Sequence, residues 1–250
     1  LNFKIMINKL TLSSIIKKYY LGEIEQVKWS IKNESLKIDF ISPTRTVIGK
    51  VKCKTFPMED IDLAIYNTKK LDNLINITHG DLILDVTKQN KMPLKLNLSD
   101  SNYNLSYALS DPLLIPKVGK VKQQDSYDIK LQLDENNISH LLKAKNALAD
   151  ADNMLITTMK DLDNQLICEF VFGDEQGHNN KVTYRVMGEI NKNNIKIKYN
   201  SNFFKTILNA NKDMEGGELE LSSEGLLRLH FSNEEIESEY FMVPQEDGIY

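Results

Sequence analysis

Hydrophobic and polar residues alternate with a period of two over most of this chain. Phe3, Ile5 and Ile7 alternate with Asn2, Lys4 and Met6. Val27, Trp29 and Ile31 alternate with Lys28, Ser30 and Lys32, and Leu36, Ile38 and Phe40 with Lys37, Asp39 and Ile41. Such alternation buries one face of a strand and wets the other, which suits antiparallel sheets. Segments 47–54, 61–66, 81–87, 92–98 and 103–109 continue the pattern. Asn33-Glu34, Ser42-Pro43, His79-Gly80, Gln89-Asn90 and Asp100-Ser101 supply turns between them.

Four segments change to a helical period. Leu12, Ile15, Ile16 and Tyr19 follow Thr11, a possible N-cap, at i, i+3, i+4, i+7 spacing, and Gly22 is placed to stop the helix. Leu71, Leu74 and Ile75 predict a short helix after Asn67-Thr68. Ile138, Leu141, Leu142 and Leu148 share a face over 134–149, with Asp134 and Glu135 favourably placed at the positive end of the helix dipole. Phe203, Phe204, Ile207 and Leu208 predict a helix over 201–210, with Ser201 as its N-cap.

The order of these elements repeats. The first half reads strand, helix, about four strands, helix, about three strands. Residues 126–243 read the same way, with strands at 127–133, 154–159, 166–172, 181–187, 194–199, 218–221, 226–231 and 237–243. The halves share architecture without obvious residue identity, as an internal duplication does. Between them, Ser110 to Gln124 lacks alternation, carries Pro112, Pro116 and Gly119, and is locally basic through Lys117, Lys120 and Lys122. It reads as an extended connector.

At 250 residues the chain has room for one large domain or two small ones. Its net charge of −4 would repel a phosphate backbone unless the positive charge is segregated. The helices show such segregation. Residues 10–22 hold Lys17 and Lys18, 136–149 hold Lys143 and Lys145, and 200–212 hold Lys205 and Lys212, all without an acid. Residues 67–79 hold Lys69 and Lys70 with one acid, Asp72. These lysines read as lying beside or opposite the apolar stripes, in company with Asn73, His140 and Asn209. Together they would form a surface that tracks phosphates. With no arginine in the helices to reach guanine edges, it would not read sequence. The alternative is that lysine is simply a soluble helix residue.

Nothing in the sequence argues for catalysis, and no cofactor or metal is expected. His79, His140, His178 and His230 lack metal-ligand spacing. Gly173 to His178 reads as a polar hairpin in preference to a metal loop. No Gly-x-Ser-x-Gly, dinucleotide or Walker motif is present. Cys53 and Cys168 lie in apolar stretches and read as reduced core thiols, the default in a cytoplasm. No apolar run approaches the ~20 residues of a membrane span, and Lys4, Asn8 and Lys9 interrupt the only candidate signal sequence.

The two-fold repeat, the connector and the basic helices on an acidic body resemble the DNA sliding-clamp family, which includes the T-even bacteriophage clamp and proliferating cell nuclear antigen. The likeness is most specific at Ile61-Asp62-Leu63-Ala64-Ile65-Tyr66 running into the helix from Asn67 to Ile77. It continues at Phe204-Lys205 to Asn209, at Glu218 to Phe231, and at Glu239-Tyr240-Phe241-Met242-Val243-Pro244. The resemblance implies an α+β fold of two tandem clamp domains, residues 1–110 and 125–250, joined by the connector 111–124. Each would carry two helices on the inner face of a curved antiparallel sheet. It implies a homotrimeric ring that closes by pairing Tyr103 to Leu109 with Lys181 to Met187, so that Tyr103, Leu105, Tyr107, Val182, Tyr184 and Val186 lie at the subunit interface. It implies double-stranded DNA, a DNA polymerase and an ATP-dependent clamp loader as partners, in viral DNA replication within a host cytoplasm. Phage relatives also assist late transcription. A partner peptide would dock around Leu113, Leu114, Ile115, Met242, Val243 and Pro244. The alternative for Leu113 to Ile115 is that they only cover the second sheet. The rival to the whole reading is a monomeric β-rich structural or interaction protein.

Overall fold

The computed structural model describes residues 5–122, 124, 126–173 and 180–245. Phe3 of the first expected strand, and 174–178 of the expected Gly173–His178 hairpin, lie outside the described residues. The chain divides into two compact units. The first gathers residues through Pro43, Gly49–Gly119 and Glu234–Ser238. The second gathers Thr44–Ile48, Lys120–Asn233 and the residues from Glu239 onward.

The elements of the first half are β1 (Ile5–Asn8), α1 (Lys9–Tyr20), β2 (Val27–Lys32), β3 (Ser35–Ile41), β4 (Val47–Cys53), β5 (Ile61–Ile65), α2 (Thr68–Asn76), β6 (Asp81–Gln89), β7 (Met92–Ser99) and β8 (Asn104–Ala108). A single 3-10 turn follows at Pro112–Leu114. Strands β1, β6, β7 and β8 form one antiparallel sheet in that spatial order, and β2 lies between β3 and β5. The β2–β3 turn is Asn33-Glu34, with positive φ at both residues (51° and 55°). That is the primed geometry whose twist matches a tight hairpin. The β6–β7 turn falls one residue later than expected, at Asn90-Lys91, again with both φ positive.

Helices α1 and α2 pack against each other. Leu12, Ile15, Ile16 and Tyr19 from α1, and Leu71 and Ile75 from α2, are buried. Trp29 is fully buried with Tyr19 and Phe56 edge-on to it, at centroid distances of 6.5 and 6.1 Å. Helix α1 begins earlier than expected. Asn8 caps it by accepting a hydrogen bond from the Leu10 amide (2.8 Å), and Thr11 is helical. At the other end Leu21, one residue before Gly22, takes the left-handed position with φ 46°.

The second half holds β9 (Ile129–Leu133), α3 (Glu135–Ala147), β10 (Asn153–Lys160), β11 (Leu166–Gly173), β12 (Lys181–Val186), β13 (Glu189–Ile190), β14 (Lys196–Asn200), α4 (Ser201–Ala210), β15 (Gly217–Leu221), β16 (Leu227–Ser232) and β17 (Ile236–Met242). Strands β12, β11, β10 and β14 form an antiparallel sheet in that order. Strand β9 pairs with β13 and β15, and β15 with β16. Helices α3 and α4 pack together, with Phe204 of α4 stacked on Phe170 of β11 at 5.9 Å. The cap of α4 is Asn200, whose side chain accepts from the Phe203 amide (2.9 Å); Ser201 is the first helical residue. The two-residue β13 is too short for any periodicity to have marked it.

Asp100 organises the turn from β7 to β8. Its carboxylate accepts the amides of Asn102 (2.7 Å), His79 (2.8 Å) and Tyr103 (2.7 Å). These bonds hold its carboxyl below the usual carboxylate range. A group whose folded pKa is lowered stabilises the fold when ionised, and that stabilisation is lost as pH falls through the lowered value. Asp100→Ala is therefore expected to lower the melting temperature at neutral pH. The gap from the parent protein should close on acidification, which thermal denaturation across a pH series measures.

Candidate nucleic-acid interface

An amphipathic helix that buries one stripe on a sheet turns its remaining residues outward. In the first unit that leaves Lys17 of α1, and Lys69, Lys70 and Asn73 of α2, exposed. Asn67 caps α2 through the Lys70 amide (2.8 Å). Glu25 supports the same end: its carboxylate accepts the Lys69 amide (3.0 Å), and its carbonyl accepts the Thr68 amide and hydroxyl. An acid at a helix N-terminus meets the positive end of the dipole, so the first turn of α2 is satisfied within the chain and its lysine side chains stay outside. Lys9, not among the expected residues, donates to the Asn76 (2.9 Å) and Thr78 (2.5 Å) carbonyls at the other end of α2. Its charge serves helix termination.

In the second unit Asp134 caps α3 by accepting the Asn137 amide (2.6 Å). Lys143, Asn209 and Lys212 are exposed and Lys205 is half-buried. His140 is exposed too, and its ring stacks on Tyr184 of β12 at 5.4 Å. The Tyr184 hydroxyl donates to Asn137 Oδ1 (2.8 Å). His140 therefore lies beside the edge strand as well as on the outward face of the helix.

Two of the expected cations are not on the surface. Lys18 and Lys145 are buried, at 0% and 1% exposure. Lys18 Nζ donates to Ser14 Oγ (2.8 Å). Lys145 Nζ donates to the carbonyls of Ala149 (2.8 Å) and Leu148 (3.4 Å), closing the C-terminal end of α3. Burial, with Lys205 adding to it, pushes the Lys145 ammonium below its ordinary pKa. The expectation that these lysines stand clear of the apolar stripes is corrected here. Lys18 falls three residues after Ile15, and Lys145 falls four after Leu141 and three after Leu142. Both sit within their stripes, and the spacing alone marks it.

The expected interface strands both lie at sheet edges, β8 beside β7 and β12 beside β11. Tyr103 is exposed, and Leu105, Val182 and Tyr184 are half-buried. Tyr107 and Val186 are buried within the subunit. The Tyr107 hydroxyl accepts from the Asn67 amide (2.9 Å) and donates to its carbonyl (3.1 Å), and its ring stacks on Tyr66 at 5.5 Å. It belongs to the anchor that holds the start of α2.

A cavity of about 540 Å³ opens in the first unit between the connector and strands β2, β3 and β5. Leu113 and Ile115 line it together with Lys28, Asp39 and Asp62. Leu113 and Leu114 are 87% and 71% exposed, whereas Ile115 is buried. Lys28 pairs with Asp62 across 3.3 Å. These polar residues were not anticipated, because strand alternation marks them only as solvent-facing. Of the other residues expected around a partner pocket, Val243 is exposed and Pro244 half-buried. Met242 is a core residue at 1% exposure, a correction that follows from the inward parity of β17.

No described residues form a group of three or more His, Cys, Asp or Glu placed to hold a metal ion. His178 lies outside the described residues. Cys53 and Cys168 are free and buried, and burial raises both thiols, Cys168 to about 12. No helix among the described residues is long and apolar enough to cross a membrane.

The sequence matches no protein-family model and no curated protein. The fold does find likeness. The crystal structure of proliferating cellular nuclear antigen from Entamoeba histolytica superposes with a TM-score of 0.75 at 13% identity, covering 97% of this chain and 98% of that one. The PCNA2-PCNA3 complex from Sulfolobus tokodaii gives 0.72 at 12% identity, covering 97% and 99%. This is the sliding-clamp fold. The α+β architecture of four helices and antiparallel sheets thus agrees with clamp structures over nearly the full length of each chain.

On this clamp fold the two lysines of α3 separate by role. Lys145→Met leaves two helix-terminal carbonyls without their donor and is expected to cost about 1–3 kcal/mol of stability. Lys143→Met, at an exposed position, is expected to leave stability within about 0.5 kcal/mol. Denaturant titration of the two variants checks this.

Proposed function

We propose that the chain is one subunit of a DNA sliding clamp. Three copies form a ring around duplex DNA and tether a replicative polymerase to it, with no chemistry of their own. One observation carries the reading: the clamp fold extends over 97% of the chain, in two units whose helices expose lysine. Residues 1–110 and 125–250 act as the two clamp domains, with 111–124 as the connector. Two per subunit give six around the ring.

A clamp must stay on DNA and also move along it. Tight contacts would secure the first and prevent the second. A closed ring separates the demands, because topology prevents escape while the contacts stay weak. Lys17, Lys69, Lys70, Lys143, Lys205 and Lys212 suit such contacts, with Asn73, His140 and Asn209 among them. Ammonium–phosphate attraction is replaceable and indifferent to sequence. The acidic remainder of a chain of net charge −4 discourages DNA from binding elsewhere. The cavity beside Leu113 and Ile115 takes a short hydrophobic segment of the polymerase or of another partner. An ATP-dependent loader opens the ring. The protein acts in viral DNA replication in a bacterial host cytoplasm, as phage clamps do.

Replacing Lys17, Lys69, Lys70, Lys143 and Lys205 together with Glu is expected to cut processive synthesis at least about tenfold, since each change removes a phosphate contact and adds repulsion. Light scattering over a concentration series should find the trimer unchanged. Full processivity in this variant would contradict the channel assignment. A parent chain that stays monomeric at every concentration would favour the monomeric interaction protein.

A further inference from the structure

Two tyrosines, one in each unit, make the same pair of contacts. Each stands on a strand at the end of its sheet, Tyr107 on β8 and Tyr184 on β12. Tyr107 stacks on Tyr66, which is 36% exposed, at 5.5 Å with 29° between the planes. Tyr184 stacks on the exposed ring of His140 at 5.4 Å and 29°. Each hydroxyl then reaches an asparagine at the start of a helix. The Tyr107 hydroxyl accepts the Asn67 amide (2.9 Å) and donates to the Asn67 carbonyl (3.1 Å). The Tyr184 hydroxyl donates to Asn137 Oδ1 (2.8 Å). Burial raises both hydroxyls, Tyr107 to about 12, so both keep the proton they donate at neutral pH.

The asparagines belong to the helix starts. Asn67 is the N-cap of α2, and its side chain accepts the Lys70 amide. Asn137 lies in the first turn of α3, where its amide donates to the capping Asp134. The first amides of a helix have no partner within it, and a helix of nine residues such as α2 is marginal by itself. The far ends are pinned separately. Lys9 donates to the Asn76 and Thr78 carbonyls, and Lys145 to those of Leu148 and Ala149. The tyrosines therefore act on the N-terminal ends. Lys69 and Lys70 lie in the turn that Asn67 caps, and Lys143 falls within two turns of Asn137.

We propose that Tyr107 and Tyr184 are positioning residues for the lysine surface. By tying the first turns of α2 and α3 to the sheet, they fix where Lys69, Lys70 and Lys143 stand. The role rests on the DNA-facing reading of those lysines given above. An ammonium carried on a frayed turn meets a phosphate less often, so retention falls with no loss of charge. The effect on DNA passes through the lysines, and it must vanish when they are absent.

Phenylalanine removes each hydroxyl and keeps the stacked ring, which makes it the substitution of choice. In full-length Tyr107→Phe, hydrogen exchange over residues 67–70 is expected to quicken at least about tenfold while α1 stays protected. Tyr184→Phe should do the same over residues 135–138. Retention on linear duplex DNA is then compared in two backgrounds. Tyr107→Phe is expected to lower it about threefold in the parent chain and to leave it unchanged beside Lys69→Met and Lys70→Met. Tyr184→Phe should behave likewise with and without Lys143→Met. Unchanged exchange at a helix start overturns the role of the tyrosine that serves it. So does an equal loss of retention with and without the lysines, the mark of a general structural defect. If the lysine changes alone leave retention intact, the DNA-facing reading fails and takes the positioning role with it, even where exchange has quickened.

Discussion

Every helix in this protein must bury an apolar stripe against an antiparallel sheet, and that one requirement decides what the chain presents to its surroundings. Leu12, Ile15, Ile16 and Tyr19 in α1 are committed inward, as are Phe203, Phe204, Ile207 and Leu208 in α4. Full burial of such side chains contributes roughly 1.5–3 kcal/mol each, far more than any surface lysine contact. Packing therefore fixes the rotation of each helix. The residues left outside are lysine and asparagine because those occupy the remaining positions. The candidate DNA-binding surface is thus a by-product of the core, held rigidly without contacts of its own.

The same economy governs the acids and the buried lysines. Glu25 and Asp134 lie at helix N-termini, where they satisfy amides and complement the dipole. Lys9 and Lys145 lie at C-terminal ends and bond to carbonyls. These charges are used inside the fold. The charges available to a phosphate backbone are the remainder: Lys17, Lys69, Lys70, Lys143 and Lys212 in the open and Lys205 partly covered. A cation count from the sequence overstates that set, because it treats a helix-terminating lysine and a solvent lysine alike.

Much of the fold was legible because both periods are strong. Alternation through Val27–Ile31 and Leu36–Phe40, and helical spacing through Ile138–Leu142, allow little else. What was not legible depends on contacts distant in sequence. Asn8 and Asn200 take the capping positions expected of Thr11 and Ser201 because the preceding strands end there. Tyr107 reads by alternation only as one position of a strand, and no local pattern shows that its hydroxyl is bound to Asn67, forty positions earlier. The cavity beside the connector needs Lys28, Asp39 and Asp62 from three strands, and no local pattern joins them. Lys18 and Lys145 are different: their spacing places them in the stripe, and only the habit of reading lysine as exposed hides it.

The central claim is topological, so a topological measurement tests it most directly. The protein, at a concentration that favours assembly, is added to linear duplex DNA with either free or bulkily blocked ends, at a salt concentration that screens loose ionic contacts. A ring that encloses DNA should thread onto free ends and be retained there, and should fail to bind when both ends were blocked beforehand. Equal binding to the two DNAs would mean that the chain grips the duplex from the side, which would contradict the account.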